Sequence, residues 1–258
     1  MTWTDWRPAQ YELYADQRLR PALELLDRIP CPDPHEVVDL GCGTGRVTAF
    51  LARRWPRARV TGVDNSQAML ERVPKAANLR WVEADIAAWR PDSPPDVLYS
   101  NAALHWLPDH ATLFPQLVSL VASGGALAVQ MPLSWEAPSH RLMREVLAQR
   151  NLGSASLREK LNRRPVATAA TYYDLLRPRC RTLDIWETEY LQVLSGEHAV
   201  LEWVRSTGLR PVLNGLDAAS LEAFLETYTK KLLAAYPPRS DGTTLYPFRR
   251  LFLVGIRA

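Results

Sequence analysis

Cysteine is scarce in this chain, and the three present, Cys31, Cys42 and Cys180, lie far apart. No Cys-x-x-Cys pair and no cysteine/histidine spacing of the kind zinc needs joins them, so neither a metal site nor a redox couple is expected. Long hydrophobic runs are missing as well. No uninterrupted apolar segment approaches the roughly 20 residues that span a bilayer, and Met1-Thr2-Trp3-Thr4-Asp5-Trp6 shows no basic stretch followed by an apolar one. Neither export nor membrane insertion is expected, and a reducing cytoplasm suits the unpaired thiols. Lysine stands only at Lys75, Lys160, Lys230 and Lys231. Arginine supplies the other cations, spread along the chain with a net charge of only +3, so no basic block exists to follow a phosphate backbone. Nucleic acid is therefore not an expected partner. Arginine suits bidentate grips on carboxylates or phosphates, although compositional bias of the genome is the simpler account of its preference.

What the sequence does contain is core-forming material. With 258 residues, 47% hydrophobic and 23% charged, the chain can bury a large core without metal or disulfide, and one α/β domain is the expected organisation. From about residue 35 to 131, short β-branched apolar runs alternate with longer amphipathic ones, the pattern of βαβ crossovers in a parallel sheet. Strands are predicted at Glu36 to Leu40, Arg59 to Val63, Leu79 to Glu83, Asp96 to Ser100 and Gly125 to Met131. Between them, Gly45 to Trp55 is predicted helical with Val47, Phe50, Leu51 and Trp55 on one face. Ser66 to Arg72 follows with a serine cap, and Ala111 to Val121 carries Leu113, Leu117, Leu120 and Val121 at helical spacing. Residues 8 to 28 read as one or two helices with Leu19, Leu23, Leu25 and Leu26 inward. After Pro132 the pattern changes: Pro138 to Arg150 and Asp217 to Tyr236 are predicted helical, Leu183 to Leu194 and Phe248 to Ile256 extended. Asn151 to Thr168 is polar and basic and is expected to be mobile. The tryptophans are expected to pack, with Trp203, Leu201, Val204 and Leu209 forming a cover over the site.

Three glycines, Gly41, Gly43 and Gly45, follow the first apolar strand and open a helix, the context that separates a nucleotide loop from a chance match. A dinucleotide loop would use G-x-G-x-x-G/A with a pyrophosphate on the helix N-terminus. Here the glycines alternate and Arg46 fills the place of the last small residue, which argues against NAD. Acids stand at two further strand ends. Asp64 lies roughly 20 residues past the loop, where a carboxylate can accept from both ribose hydroxyls. Asp85 closes Trp81-Val82-Glu83-Ala84, where it can accept from an adenine amino group. Asp64 also suits a helix cap, and Asp39 suits ordering of the loop. Two acids at successive strand ends describe an adenosine pocket without phosphates.

Over residues 36 to 131 the chain resembles the class I S-adenosylmethionine-dependent methyltransferases. Asp39-Leu40-Gly41-Cys42-Gly43-Thr44-Gly45 matches their first motif, Asp64 their ribose-binding acid, Ala84-Asp85-Ile86 their adenine-contacting turn, and Asn101 the loop that meets the methionine portion. The resemblance implies a doubly wound, mostly parallel seven-stranded Rossmann-like sheet. It implies S-adenosylmethionine held by Asp39, Gly41, Cys42, Gly43, Gly45, Asp64, Asn65, Met69, Asp85, Ile86 and Asn101, with no metal. It further implies a single methyltransferase domain over 1–258: an N-terminal helical lid (1–34), a cofactor-binding core (35–132), a substrate cap with late strands (133–246) and a final strand (247–258).

A denser resemblance, along nearly the whole chain, is to the trans-aconitate methyltransferase family within that class. It rests on Asp5-Trp6-Arg7-Pro8-Ala9-Gln10-Tyr11 and on Asn101-Ala102-Ala103-Leu104-His105-Trp106-Leu107-Pro108-Asp109-His110. Leu127-Ala128-Val129-Gln130-Met131-Pro132, Leu142-Met143-Arg144-Glu145-Val146, Trp203 to Pro211 and Phe248-Arg249-Arg250-Leu251-Phe252 continue it. The implied acceptor is a small polycarboxylic acid, trans-aconitate, esterified at one carboxylate. Tyr11, Arg18, His105 and Arg210 are the expected substrate contacts, and no catalytic base is required. His105 departs from that family's pattern, which has glutamine there. Two other readings stay open: a different small acceptor with His105 as general base, and a non-catalytic protein that only binds S-adenosylmethionine.

Overall fold

Val37, Val38, Asp39 and Leu40 are buried in succession in β1 (Glu36–Leu40), as a strand covered on both faces requires. The structure, a computed structural model, describes residues 15–258, with side chains from Leu19 onward. The remaining strands are β2 (Arg59–Asp64), β3 (Leu79–Glu83), β4 (Val97–Asn101), β5 (Ala126–Pro132), β6 (Cys180–Ser195) and β7 (Thr243–Arg257). Among the described residues they form one sheet of seven strands in the order β3-β2-β1-β4-β5-β7-β6. β1 to β5 are parallel, in a register that pairs Leu40 with Val63, Asp64 with Glu83, Asp39 with Tyr99 and Asn101 with Gln130. β7 runs the other way, as the exchange between Arg257 and the Gly124–Gly125 turn before β5 shows: Gly124 N–H donates to the Arg257 carbonyl and Arg257 N–H to that of Gly125. This is the mostly parallel, doubly wound sheet that the sequence implies.

Ten α-helices are described: α1 (Ala15–Asp27), α2 (Arg46–Arg54), α3 (Gln67–Leu70), α4 (His110–Leu120), α5 (Pro138–Gln149), α6 (Ala155–Asn162), α7 (Ala169–Leu176), α8 (Ala199–Arg205), α9 (Arg210–Gly215) and α10 (Ala218–Ala235). The chain leaves β1 toward β2 and β3, then returns to β4 and β5 on the other side of β1. Right-handed crossovers in opposite directions place α2 and α4 on opposite faces, and the order reverses between β1 and β4. In such sheets the carboxyl ends of the strands at that reversal open a crevice.

The chain divides into two compact units. The first comprises the residues up to Pro132 with Val166–Thr188 and Leu251–Ala258. In it Pro21, Ala22, Leu25 and Leu26 of α1 are buried, while Leu19 and Leu23 are only half-buried. The buried Tyr99 hydroxyl of β4 donates to the Ala22 carbonyl at 2.8 Å, fastening α1 to the sheet. α2 buries Thr48, Leu51 and Ala52, with Val47 and Phe50 half-exposed, a rotation from the expected face that brings Thr48 over a buried carboxylate. α4 likewise buries Leu113, Phe114, Leu117 and Val118 and leaves Leu120 half-exposed. Ser66 stands at the start of α3 without capping it through its side chain. Asp64 instead turns the chain into it, accepting the Ser66 N–H at 2.9 Å.

The second unit comprises Leu133–Pro165 and Glu189–Arg250. Trp203, Leu201, Val204 and Leu209, expected as a cover, are buried in its core, where Trp203 meets the rings of Tyr246 and Phe248. Ser139 gathers three tyrosines: Tyr228 hydroxyl donates to its carbonyl (2.7 Å), its N–H donates to Tyr236 hydroxyl (3.1 Å), and its hydroxyl lies 3.1 Å from that of Tyr246. His140 is half-buried beside them, with Nδ1 3.1 Å from Ser139 Oγ and Nε2 3.3 Å from Ser134 Oγ. Burial, and then the charge of Arg144, push it down to about 4, so it is neutral at ordinary pH. Asn151 to Thr168, expected to be mobile, instead holds α6, whose first turn is capped by Ser154 Oγ accepting from Leu157 N–H at 3.1 Å.

Candidate functional site

The loop after β1 is left-handed at every second residue, with φ of 74° at Gly41, 55° at Gly43 and 72° at Gly45, a path that side chains resist. Two of these glycines are also required by crowding. A Cβ on Gly41 would overlap the Ala103 methyl, and one on Gly45 would overlap the indole of Trp81. The N–H groups of Gly41 and Cys42 both donate to the Val63 carbonyl, at 2.8 and 3.1 Å, lashing the loop to the end of β2. Gly43 differs: a Cβ there would have nothing within 4 Å, so its backbone faces open space.

Carboxylates hold the loop from two sides. Asp39 lies beneath it, 2% exposed, with Oδ2 accepting from Thr48 Oγ1 at 2.7 Å. Burial raises Asp39 to about 7 against the opposing Thr48 hydrogen bond, and Asp64 pushes it the same way. Asp64 ends β2 and accepts the Gly43 N–H on Oδ2 and the Ser66 N–H on Oδ1, each at 2.9 Å. Burial raises its pKa, and these backbone hydrogen bonds oppose the rise. A carboxylate has about four lone-pair sites. The Asn65 N–H is a further backbone donor to it, and the acceptor capacity left over suits a ribose hydroxyl.

The neighbouring strand ends complete the edge. The Ala84 N–H donates to the Asp64 carbonyl at 3.0 Å, which sets the Asp85 turn beside β2. Asp85 is exposed and its Oδ1 accepts from Ala87 N–H at 2.9 Å. The Ile86 side chain approaches the Gly41 position. Across β1, Ser100 Oγ donates to the Leu40 carbonyl at 2.8 Å. Asn101 follows, its Oδ1 buried without a protein hydrogen-bond partner among the described residues. Ala102 then turns left-handed (φ 53°), and Leu104–Trp106 form a single 3₁₀ turn bearing His105, which is half-buried against Trp106.

Asp39, Gly41, Gly43, Gly45, Asp64, Asp85, Ile86 and Asn101 thus meet along one carboxyl edge of the first unit. Cys42 is buried in the same loop; burial first, then Asp39 and Asp64, push its thiol up, so it stays protonated. Met69 is buried in α3 and Asn65 is exposed beside Asp64. Tyr11 lies outside the described residues, as does the side chain of Arg18, whose backbone belongs to α1. Arg210 opens α9 in the second unit, half-buried. Sequence reasoning missed Thr48, Trp81 and Ala103. Thr48 carries a signal, as a hydroxyl three residues beyond Gly45 on a helix that must cover an acid; the other two carry none.

An adenosine with an attached amino acid fits this edge. Asp64 retains acceptor capacity, Gly43 leaves a cradle a side chain would fill, and the buried Asn101 acceptor suits an ammonium. Residues 37–125 match the family model described as a methyltransferase domain. The fold is shared with the YcgJ protein of Bacillus subtilis, with a TM-score of 0.58 at 14% identity, over 92% of this chain and 98% of that one. The chain is a class I S-adenosylmethionine-dependent methyltransferase. It is 48% identical to the trans-aconitate 2-methyltransferase of Azoarcus sp. (strain BH72), over 98% of this chain and 99% of that protein. It is 47% identical to that of Methylobacterium radiotolerans, with the same coverage, and it belongs to the trans-aconitate 2-methyltransferase family.

Proposed function

We propose that the protein transfers the methyl group of S-adenosylmethionine to one carboxylate of trans-aconitate, releasing the monomethyl ester and S-adenosylhomocysteine. The observation that carries this reading is 48% identity along 98% of the chain with a protein named for that reaction. When bound, S-adenosylmethionine supplies a methyl group on a positively charged sulfur, open to in-line attack. The protein's share is placement: Asp64 and Asp85 hold the adenosine, Gly43 leaves it room, and Asn101 receives the amino-acid end.

The acceptor chemistry asks little proton transfer of the protein. A carboxyl group is ionised at neutral pH, since its pKa lies near 4, so no side chain has to deprotonate it. Shielding three carboxylates from water without partners would cost several kcal/mol each. Arg18 and Arg210 are assigned to the carboxylates that do not react, with Tyr11 and His105 as hydrogen-bonding neighbours. The reacting carboxylate is held lightly, because a bidentate grip would withdraw the electrons it donates.

One placement supports a second reading. His105 follows β4 beside the glycine loop, where a general base for an alcohol or phenol acceptor would also stand. The experiment is release of S-adenosylhomocysteine with trans-aconitate, cis-aconitate, citrate or no acid. Release specific to trans-aconitate is expected. Silence across the acids, with the cofactor shown to bind by calorimetry, would remove the substrate assignment. A rate collapsing as pH falls through about 6 to 7 would move it toward a base mechanism at His105.

A further inference from the structure

His110, the first residue of α4, uses both ring nitrogens on the segment that carries His105 and on the helix packed against it. Its Nε2 lies 3.0 Å from the Leu104 carbonyl and its Nδ1 2.5 Å from the Tyr172 hydroxyl. A carbonyl can only accept, so in the neutral ring Nε2 bears the proton and Nδ1 accepts from Tyr172. Tyr172, fully buried in α7, in turn accepts the Ala167 N–H at 3.2 Å. The ring of Phe114 packs against both His110 and Tyr172, with centroids 5.1 and 4.7 Å away. The Leu104 carbonyl thus sets the tautomer, while Tyr172 and Phe114 hold the plane of the imidazole.

What they set is a peptide plane. The Leu104 carbonyl already accepts the Leu107 N–H at 2.9 Å to close the 3₁₀ turn, and the His110 bond occupies its second lone pair. That carbonyl and the His105 N–H belong to one planar unit, so fixing the one orients the Cα of the other. The connection is pinned at its ends as well. Ala102 N–H donates to the Gln130 carbonyl at 2.9 Å, Ala103 sits under Gly41, and Ala102 and Asp109 both hold left-handed backbones (φ 53° and 54°). We propose that His110, oriented by Tyr172, is a positioning residue that aims His105 at the methyl acceptor through the Leu104 carbonyl. This rests on the reading of His105 as an acceptor contact given above.

The test compares His110→Phe, which keeps a ring without its nitrogens, with His110→Gln, whose amide can still donate to the Leu104 carbonyl. The readouts are kcat and KM for trans-aconitate, calorimetric Kd for S-adenosylmethionine, and folded fraction. Misaiming of a substrate contact by about 1 Å costs about 10- to 100-fold. His110→Phe is expected to lose that much kcat/KM for trans-aconitate with cofactor Kd unchanged, and His110→Gln to recover most of it. In a His105→Ala background, His110→Phe should cost nothing further. Equal losses in both backgrounds, or a loss that only tracks the folded fraction, would overturn the positioning role. An active wild type with an unaffected His110→Phe variant overturns this inference and leaves the function standing. A wild type silent with trans-aconitate overturns the functional reading, and the positioning role falls with it.

Discussion

Asp39 is a carboxylate kept from water beneath the loop it supports, and its folded value of about 7 lies above an unfolded value near 4. A group with a raised folded pKa contributes stability that is fully present below the unfolded value and is lost as pH rises through the folded one. The ionised side chain therefore weighs against the fold most above pH 7. Asp39→Asn keeps an acceptor for Thr48 and cannot ionise. It is expected to raise the unfolding temperature of the cofactor-free protein at pH 8, and by less at pH 5, with a gain of a few kcal/mol at most. Thermal unfolding at the two pH values checks this, and equal shifts would contradict it. Asp39, Asp64 and Asp85 were legible in the sequence because each stands where an apolar run stops. Thr48 was not: the helical period admits several faces, and only a buried acid underneath selects the one carrying a hydroxyl.

The glycine loop gives the corresponding test for an element. Gly41, Gly43 and Gly45 share a left-handed backbone, yet only Gly41 and Gly45 are crowded by protein, by Ala103 and by Trp81. Gly41→Ala must displace the β4–α4 connection and is expected to lose both stability and cofactor affinity. Gly43→Ala meets no protein atom, so its structural cost is the backbone strain of about 1 kcal/mol. Its cofactor affinity is nonetheless expected to fall at least as far, because the proposed adenosine site lies on the open side of Gly43. Calorimetric Kd alongside thermal unfolding separates the two, and a Gly43→Ala variant that binds S-adenosylmethionine normally would contradict the placement. Strands such as Glu36–Leu40 and Leu79–Glu83 could be read to the residue, since each is a short run built around β-branched or aromatic residues and is too short for a helix. Helices α6 to α9 were not, because six to eight residues hold too few turns for a period to stand out. Their Ser154 and Thr168 caps were the available signal.

Over the whole molecule, the first unit's order of strands and loops was legible because βαβ alternation constrains it so tightly. The second unit was less so. Its core is a set of aromatic side chains drawn from Trp203, Phe224, Tyr228, Tyr246 and Phe248, with Ser139 satisfying the tyrosine hydroxyls and the neutral His140 bonded to Ser139 in turn, a solution set by three-dimensional packing and not by any period. Substrate choice belongs to this largest scale, since the residues assigned to the acceptor, Tyr11, Arg18, His105 and Arg210, come from widely separated stretches of chain. No metal cluster of three or more His, Cys, Asp or Glu occurs among the described residues, and no described helix is long and apolar enough to cross a membrane. The central claim is that the methyl group ends on a carboxylate oxygen. Its most direct test is to incubate the protein with trans-aconitate and S-adenosylmethionine carrying a carbon-13 methyl group and follow the label by NMR. A single methoxy ester signal that disappears on mild alkaline hydrolysis is the predicted result. Label that resists alkali, or that never leaves the cofactor while S-adenosylmethionine is bound, would contradict the account.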